Sequence, residues 1–424
     1  MRLTPTKNMR IQNWGRTVDF KPAQVAYPEN EEQVQELVQQ ALRSGQKVRV
    51  VGTAHSWTPL VQTSDVLVSL DQMQGVIQVD EQKRQVTVWG GTKLRKLGED
   101  LRALGLAMEN LGDIDEQSIC GALSTGTHGT GKHFGVIATQ AVALSIVDGQ
   151  GRLHHLNREN EPDRMRCAQV ALGALGIITR VTLQCVPAYN LEYVSRREPL
   201  EEVFRTMQER IDNNRNFEIY AFPYSRLLQT KSLNAVEEVP NVQGPIKFFK
   251  DIIMENVAFR ALNEVANVAP FMAKSVSRLT AFGVPDRRDV NHSNRIYATS
   301  RLVRFREMEY GVPAEHGPAM LRAILDWLDT SGLNISFPLE YRYVRADLLP
   351  LSPAYGRDTV FISCHVFIKR PYKRYFDELE KRFQEIPEAR PHWGKMHTLK
   401  ASQLAERYPE WMTFQAIRAE MDPQ

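Results

Sequence analysis

The sequence predicts an α+β fold, and two observations carry that prediction. Short β-branched runs and amphipathic helical patterns are mixed along the chain. One example is the helical pattern that opens after Asn30 and stops at Gly45, followed by the strand-like runs VRVV, DVLVSL and QVTVW. These elements do not alternate in the regular strand–helix–strand order of a doubly wound parallel sheet. A chain of 424 residues also exceeds the usual size of one domain, so two or three packed units are expected.

The composition excludes several classes of protein. With 42% hydrophobic and 24% charged residues, the chain can bury a full core, which excludes wholesale disorder. Lys and Arg total 53 against 50 Asp and Glu, and a net charge of +3 over this length is too small to indicate a nucleic-acid-binding domain. No run reaches the roughly 18 apolar residues of a spanning helix, and the basic N-terminus lacks the apolar core of a secretory signal. The protein is expected to be soluble or peripheral.

The cysteines indicate a reducing compartment. Cys120, Cys167, Cys185 and Cys364 are far apart and form neither a CxxC pair nor a zinc-binding spacing. The sequence therefore predicts no disulfide framework and no metal site, and a cytoplasmic location fits best.

The first 190 residues continue the mixed pattern. A second helix is predicted from Thr92 to Leu104, and a hairpin is predicted with its turn at Asp148-Gly149. The run ALGALGIITRVTLQCVP is interpreted as a short helix and then a strand that ends at Pro187. Residues 110–135 are rich in Gly, Ser and Thr, which makes them too polar for a core and too orderly for a linker.

The pattern of predicted strands and helices changes near residue 190, so a domain boundary is placed near residue 188. LEYVSRREPLEEVFRTMQERI predicts a strand leading into a helix, residues 320–328 predict a helix, and NFEIYAFPYS, RYVRADL and TVFISCHVFI predict strands. The predicted division is 1–188, 189–390 and 391–424, with the last segment returning to the first domain.

Two glycine-containing loops are candidates for binding a cofactor that carries phosphate. No GxGxxG follows a first strand, and the run from Gly126 to Gly131 lacks the Lys of a phosphate-binding P-loop. Small residues in that run, and in residues 51–56 directly after a strand, let backbone N–H groups turn toward an anion. Each loop alone is typical of ordinary turns, whereas the two together suit a diphosphate cofactor held from both sides.

Glu340 and Arg342 lie two residues apart in FPLEYRY, so on a strand both side chains face the same way. A carboxylate can accept a proton from a substrate hydroxyl, and a guanidinium can stabilise negative charge that develops beside it. The alternative is a cross-strand salt bridge on a solvated sheet, which contributes little and is very common. Spacing alone favours the salt bridge.

Six sequence blocks together resemble the FAD-linked sugar-lactone oxidases of the vanillyl-alcohol-oxidase-type flavoprotein superfamily. This family includes L-gulonolactone oxidase and D-arabinonolactone oxidase, and the resemblance covers almost the whole chain. The order and spacing of six blocks are more specific than any one of them. The blocks are NW at 13–14, VGTAHS at 51–56, ENLGDIDEQSICGALSTGTHGTG at 109–131, LGALGIITRVTLQCVP at 172–187, FPLEYRYVRADLLPLSP at 337–353 and RPHWGKMH at 390–397.

The resemblance implies a two-subdomain FAD-binding domain of the vanillyl-alcohol-oxidase (PCMH) type, covered by an α+β substrate-binding cap. It implies FAD as the cofactor, with His55 as the candidate for a covalent bond to the flavin 8α-methyl group. The loop from Gly112 to Gly131 would wrap the pyrophosphate and lie near the isoalloxazine, and Ile178 would contact the cofactor through its backbone. The implied cofactor-binding residues are Gly52, Thr53, His55, Ser56, Gly112, Ser118, Gly121, Thr127, Gly131 and Ile178.

The implied activity is oxidation of an aldono-1,4-lactone, of the L-gulono, L-galactono or D-arabinono type, at the secondary alcohol next to the carbonyl. Glu340, or a water that it orients, would accept the proton. The hydride would pass to flavin N5, Arg342 and Lys395 would hold negative charge, and reoxidation by O2 would give H2O2. Three alternatives stay open: an alditol or polyol oxidase on the same scaffold, a lactone dehydrogenase that uses another electron acceptor, and a flavin-free binding protein.

Several further residues bear on this choice. Alditol oxidases place a serine where this chain has Ala122, which favours a lactone substrate. Gly121 beside it is expected near flavin C4a, where a small residue leaves room for oxygen and favours an oxidase. His365 is a second candidate base, although histidines on such apolar strands are more often satisfied core residues. His392 and Trp393 are expected to shape the pocket.

An apolar pattern in the second half is compatible with a membrane contact. Phe248, Ile252, Phe259, Leu262 and Val268 could form one helical face with basic residues around it, a pattern suited to peripheral docking and electron transfer to a quinone. The favoured interpretation is a helix packed against the cap sheet.

Overall fold

The computed structural model describes residues 9–241, 257–298 and 302–423. The first part of the chain contains twelve strands in the described residues and four α-helices. The strands are β1 (Ile11–Gln12), β2 (Asp19–Phe20), β3 (Gln24–Ala26), β4 (Val48–Val51), β5 (Val66–Ser69), β6 (Val76–Asp80), β7 (Gln85–Trp89), β8 (Leu106–Ala107), β9 (Ala141–Val147), β10 (Leu153–Asn157), β11 (Ile177–Gln184) and β12 (Val186–Pro187). The helices are α1 (Glu31–Arg43), α2 (Leu94–Ala103), α3 (Ile119–Ser124) and α4 (Pro162–Gln169).

These elements build two main sheets. Strands β3, β5 and β4 form a parallel sheet in that order, and β10-β9-β11-β7-β6 form an antiparallel sheet. Two-stranded sheets, β1-β2 and β12-β8, complete this part. The short β-branched strands thus pair into these sheets, and the apolar side chains of α1, α2 and α3 join the same hydrophobic core.

Helix α1 shows how a capping residue, the spacing of apolar residues and a glycine determine where a helix begins and ends. Asn30 caps its first turn by accepting a hydrogen bond from the Gln33 N–H, and the helix buries Val34, Leu37 and Val38 on one side. Gly45, at a φ of +63°, follows the end of the helix, where a left-handed conformation favours glycine. The helix predicted from this pattern is confirmed.

The run at 171–176, expected to form a short helix, is instead a series of turns before β11. Leu172, Gly173 and Gly176 all have positive φ angles, of 56°, 74° and 130°. A right-handed helix requires negative φ at every residue, so the prediction was wrong here. Within the polar stretch 110–135, the structure has helix α3, which the sequence analysis did not identify.

The second part of the chain is built on one eight-stranded antiparallel sheet. Its order is β16-β13-β15-β14-β18-β19-β17-β20. The strands are β13 (Asn190–Pro199), β14 (Asn216–Ala221), β15 (Leu227–Val236), β16 (Arg287–His292), β17 (Phe305–Pro313), β18 (Leu339–Val344), β19 (Thr359–Phe367) and β20 (Arg390–Pro391). The helices described here are α5 (Leu200–Asn213), α6 (Ala258–Val268), α7 (Ala273–Gly283), α8 (Ser293–Tyr297), α9 (Gly317–Thr330), α10 (Lys373–Gln384), α11 (Ala401–Ala405) and α12 (Trp411–Met421).

Sheet register brings distant charged residues side by side. Glu218 on β14 lies opposite Arg342 on β18, and Glu307 on β17 lies opposite His365 on β19. The strand β18 also meets the first part of the chain, because the Gly131 N–H donates to Tyr343 O at 2.7 Å. The glycine-rich loop and the strand that carries Arg342 are therefore joined through their backbones.

Of the stretch considered for membrane contact, the described residues form helix α6, and α7 follows it. Phe259 packs against Phe337, with ring centroids 4.8 Å apart, and Leu262 packs against a small buried cluster. Val268, Phe271 and Phe282 are exposed, at 83%, 79% and 65%. Phe248 and Ile252 lie outside the described residues. Among the helices that the structure describes, none is both long enough and apolar enough to cross a membrane.

Candidate active site

A cavity of about 980 Å³, including its open mouth, lies between three loops of the first part of the chain. We name it the loop cavity. Its walls come from the segment after β4, from the segment 117–125 around α3, and from the turns 172–178 before β11. Seven of the residues expected to bind a cofactor line it: Gly52, Thr53, His55, Ser56, Ser118, Gly121 and Ile178.

His55 sits at the rim of this cavity in a constrained loop. Ala54, just before it, has a φ of +53°, and the His55 Nδ1 lies 2.9 Å from Thr53 Oγ1. The ring stacks on Trp14, with centroids 6.1 Å apart. Burial, together with nearby Lys395, lowers the pKa of His55, so the ring is neutral at neutral pH and keeps a nitrogen lone pair.

The residues that border the loop cavity suit a large cofactor such as FAD. Gly173 borders it with no atom within 4 Å of the place where a Cβ would lie, and at Gly121 only Ser118 Oγ comes that near. Backbone can therefore approach a large ligand closely at these two positions.

A second cavity of about 510 Å³, which we name the junction cavity, adjoins the first and shares His55 and Ser56 with it. It lies where the first part of the chain meets the eight-stranded sheet. Arg342 and Lys395, expected at the reaction centre, both line it. So do Gly112 and Thr127, which were expected to bind the cofactor.

Arg342 is buried among three carboxylates. Its Nη2 lies 2.7 Å from Glu340 Oε2 and 3.1 Å from Asp113 Oδ2, and its Nε donates to Glu218 Oε2 at 3.1 Å. Burial acts to lower the pKa of Arg342, but Asp113, Glu340 and Glu218 outweigh it and raise the pKa well above its ordinary value. The guanidinium is therefore a permanent, fixed cation at the junction.

Lys395 anchors a second buried charge cluster. Its Nζ lies 2.5 Å from Glu307 Oε2 and 4.0 Å from Glu309 Oε2, and it lies over the Trp57 ring at 4.7 Å from the centroid. Burial alone would lower the pKa of Lys395, but Glu307 and Glu309 raise it. Lys395 is thus held as an ammonium ion at the wall of the junction cavity.

His365 is placed as a cation by its contacts. Its Nδ1 lies 3.0 Å from Pro338 O, and its Nε2 lies 3.4 Å from Glu307 Oε1, so both ring nitrogens face acceptors. Burial opposes protonation, but Glu307 outweighs burial and raises the pKa. A protonated ring has no lone pair for a substrate proton, so this geometry disfavours His365 as a base.

His128, Glu309 and His392 form a buried trio whose potential ligand atoms lie within 4.8 Å of one another. His392 Nδ1 accepts a hydrogen bond from the Gly394 N–H at 3.0 Å, which places the ring proton on Nε2. Burial, with Lys395 and His128 adding to it, lowers the pKa of His392 to about 3, so the ring stays neutral. Binding a metal through Nε2 would move that proton to Nδ1, against the Gly394 N–H. The trio is therefore suited to hydrogen bonding rather than to metal binding.

Comparison with known proteins identifies the family. The family model described as D-arabinono-1,4-lactone oxidase matches residues 181–424, more than half of the chain. The chain belongs to this family of sugar-lactone oxidoreductases. A second model, for a FAD binding domain, matches residues 22–157. The chain is therefore a FAD-dependent oxidoreductase of the sugar-lactone class.

Relatives in the lactone oxidase family match this chain over nearly its whole length. It is 36% identical over 414 residues to the L-gulono-1,4-lactone dehydrogenase of Mycobacterium tuberculosis, covering 97% of this chain and 95% of that protein. It is 27% identical to the L-gulonolactone oxidase of Scyliorhinus torazame, covering 99% and 96%. A solved structure titled solvent-stable cholesterol oxidase has the same fold, with a TM-score of 0.83 at 17% identity, covering 98% and 95%. The predicted α+β flavoprotein fold is confirmed.

Three expected residues of this lactone oxidase family member lie away from the cavity walls described above. Gly131, at a φ of +131°, packs where a Cβ would meet Arg215 O at 2.6 Å, so it serves the contact between loop and strand. Glu340 is buried and reaches the junction cavity through its ion pair with Arg342. Ala122, where alditol oxidases are expected to place a serine, is fully buried within α3.

The sequence analysis missed several residues that line the junction cavity of this lactone oxidase family member. Asp113 stands beside Arg342, and Glu309 and His128 form the opposite wall. His128 Nε2 lies 3.4 Å from Glu309 Oε1, and its ring stacks on Phe361 with centroids 3.8 Å apart. Asp113 lies in the sequence block at 109–131, but only the folded chain places its carboxylate beside Arg342.

Proposed function

We propose that the protein oxidises an aldono-1,4-lactone, of the L-gulono, L-galactono or D-arabinono type, at the secondary alcohol next to the carbonyl. One observation carries this proposal: the buried Arg342 guanidinium lies at the junction cavity between carboxylates, within the wall that also carries Lys395. Paired acid–base groups and fixed cations in a dry cleft suit removal of a hydroxyl proton and stabilisation of the charge that results.

The chain's own residues have separate roles in this proposal. Glu340, or a water that it orients, accepts the hydroxyl proton of the substrate. Arg342 and Lys395 hold the negative charge that develops as the proton leaves, and the carboxylates around them keep both cations charged and fixed in place. FAD, held by the loop-cavity residues, supplies the two-electron acceptor for the substrate's hydride.

The test compares two carboxylates that contact the same cation. Glu340→Gln removes the base and is expected to lower kcat by about 10²–10⁴-fold, the usual contribution of a general base. Asp113→Asn is the matched variant, because Asp113 lies 3.1 Å from Arg342 and removal of its charge is also isosteric. Stopped-flow reduction of the bound flavin by the lactone measures the step directly. Near-wild-type reduction in Glu340→Gln with a large loss in Asp113→Asn would transfer the role of base to Asp113.

For the electron acceptor, we propose O2, with H2O2 as product. Support comes from Gly121, which leaves open space at the cavity wall. A second candidate, a lactone dehydrogenase with another acceptor, is favoured by the 36% identity to a protein named a dehydrogenase. An alditol oxidase is the alternative for the substrate. Peroxide and dye-reduction assays across lactones and alditols separate the three.

We also propose that residues 1–188 form the FAD domain, that residues 189–390 form the cap, and that residues 391–424 form a segment that returns to the flavin.

We further propose that FAD is attached covalently through His55. The neutral, half-buried ring at the rim of the loop cavity supports the attachment. Yellow colour retained in an acid-precipitated pellet of the wild type, and released to the supernatant from His55→Asn, is the expected result. Release from both proteins would leave FAD bound without a covalent bond.

A membrane surface is a further candidate partner, although packing of α6 against the cap is favoured. The observation behind it is the exposed apolar face of α6 and α7, which includes Val268, Phe271 and Phe282. Arg260 and Arg278 are exposed on the same helical pair. Co-sedimentation with anionic vesicles tests it, and protein that stays in the supernatant removes the membrane proposal.

A further inference from the structure

A cavity of about 510 Å³, distinct from the junction cavity, lies on the other side of Arg342. We name it the side cavity. It shares Gly112, Asp113 and Arg342 with the junction cavity, so the two spaces meet at the Arg342–Asp113 ion pair. A ligand that reaches the Arg342 guanidinium from the junction side therefore lies next to the opening of the side cavity.

The side cavity has one charged wall. Glu218 Oε2 accepts from Arg342 at 3.1 Å, and Lys231 Nζ lies 3.6 Å from Glu218 Oε1. Lys231 also lies over the Tyr220 ring, 4.0 Å from its centroid. The wall thus alternates cation and carboxylate from Asp113 through Arg342 and Glu218 to Lys231. Such a row can donate to a hydroxyl oxygen and accept from its proton at neighbouring points.

Apolar side chains stand next to these charges in the side cavity. Leu233 lies two residues after Lys231 on β15 and therefore on the same face of the sheet, and Leu111 and Ile296 line the cavity with it. Asn216 donates to Asn110 Oδ1 and to Thr130 O, so its amide group holds the glycine-rich loop. A ligand in the side cavity would therefore meet charged and apolar side chains next to each other.

A lining with charged groups next to apolar ones suits a short hydroxylated carbon chain, which offers hydroxyl groups and C–H groups along its length. We propose that the side cavity binds the exocyclic side chain of the lactone while the ring lies in the junction cavity, which makes six-carbon aldono-lactones the better substrates. The inference rests on the proposed function. The terminal hydroxymethyl group contacts Lys231 and Glu218, and the carbon chain packs on Leu233.

Two substrates form a matched pair for the test. D-arabinono-1,4-lactone has the same ring configuration as L-galactono-1,4-lactone and lacks only its terminal hydroxymethyl group. We expect the holoenzyme to favour the six-carbon lactone by about tenfold in kcat/KM, roughly the discrimination that one extra group in a pocket can provide. A holoenzyme that oxidises neither lactone would overturn the proposed function and the inference together.

Leu233→Phe fills the cavity and is expected to lower kcat/KM for the six-carbon lactone at least tenfold, mainly through KM, while the five-carbon lactone changes less than threefold. Ala235→Phe is the control, because Ala235 is two residues along the same strand, exposed, and not in the cavity wall. Lys231→Met is the second variant and should raise KM for the six-carbon lactone in the same selective way. Equal losses on both lactones, or no loss in either variant, would overturn the side-cavity assignment while leaving the lactone oxidation intact.

Discussion

At Gly121, an added Cβ would lie 3.0 Å from Ser118 Oγ and meet no other atom within 4 Å. The residue lies in α3, on the wall of the loop cavity, and its φ is in the ordinary range for a helix. The backbone there needs no glycine, but the contact at 3.0 Å is tight, so the Ser118 hydroxyl must turn aside for a Cβ to fit. The missing side chain leaves space at the cavity wall, which is where the proposed function would place O2.

Gly121→Ala is therefore expected to fold normally and to change the choice of electron acceptor. The added methyl group should lower the second-order rate of flavin reoxidation by O2 about tenfold or more, while turnover with an artificial dye stays within about twofold. Stopped-flow reoxidation of the reduced protein measures the first quantity. Unchanged reoxidation would show that O2 does not approach past this residue.

The site also shows which side chains can be predicted one residue at a time. The spacing of Glu340 and Arg342 predicts only that both lie on one face of a strand, and the ion pair between them is present at 2.7 Å, whereas their proposed roles come from the resemblance to the family. Glu307 and Glu309 obey the same rule on β17 but attracted no notice. Their surroundings come from the pairing of β17 with β19 and from the C-terminal segment, which no local pattern reveals.

At the scale of elements, the turns before β11 contain most of the positive φ angles among the residues that line the loop cavity. Gly173 and Gly176 both line that cavity, and both have positive φ angles, of 74° and 130°. Their surroundings differ. A Cβ at Gly176 would lie 2.2 Å from Val147 O, whereas a Cβ at Gly173 would meet no atom within 4 Å.

The pair of variants Gly176→Ala and Gly173→Ala separates strain from collision. Gly173→Ala should cost about 1–2 kcal/mol, the penalty of a left-handed alanine. Gly176→Ala should cost clearly more, because the β9 backbone must move, and it should lose bound flavin. Thermal unfolding midpoints and the ratio of flavin to protein absorbance measure both effects. Equal midpoints in the two variants would contradict the collision argument.

The same turns explain what sequence patterns could and could not predict about the elements. Helices α1 and α5 were predictable because one face of each buries regularly spaced apolar residues, and that burial follows the local period. In residues 171–176, Ala and Leu favour a helix by propensity, yet three residues have positive φ angles, and at Gly176 the β9 backbone comes too close for a Cβ. Tertiary contact overrode local preference there, and single-sequence reasoning has no access to that contact.

At the scale of the whole molecule, buried charges tie the C-terminal segment to the eight-stranded sheet. Lys395 and His365 both contact Glu307, and His128 and Lys395 both face Glu309. Burial acts to raise the pKa of each carboxyl group, but these cations outweigh it and lower the pKa of both. Residues from three distant parts of the chain are thereby held in one network.

This network predicts a stability optimum near pH 6.5. The lowered pKa values of Glu307 and Glu309 mean that their stabilisation is present above an unfolded pKa of about 4.3 and is lost as the pH falls through the folded values. The pKa of His392, lowered to about 3, means that stability is also lost as the pH falls below about 6.5, where the unfolded ring binds a proton and the buried ring does not. The raised pKa of His365 means that its stabilisation is complete below about 6.5 and is lost as the pH rises through the folded value. Thermal midpoints of the wild type should therefore be highest near pH 6.5 and fall on both sides of it.

His365→Gln is the control for the alkaline side. It should lower the midpoint at pH 6 and flatten its dependence on pH between about 6.5 and 9, since glutamine has no charge to lose in that interval. A wild-type profile that is already flat across that interval would mean that His365 is not charged in the folded protein.

The backbone contact between the glycine-rich loop and β18 has a consequence for how the protein is assembled. Besides the Gly131–Tyr343 bond, Thr130 Oγ1 donates to Phe217 O at 2.6 Å, and the Arg345 N–H donates to Phe134 O at 2.9 Å. Separating the two parts of the chain would break these bonds. We therefore expect the flavin to be taken up before the two parts close around it, and the substrate to enter afterwards through the mouths of the cavities.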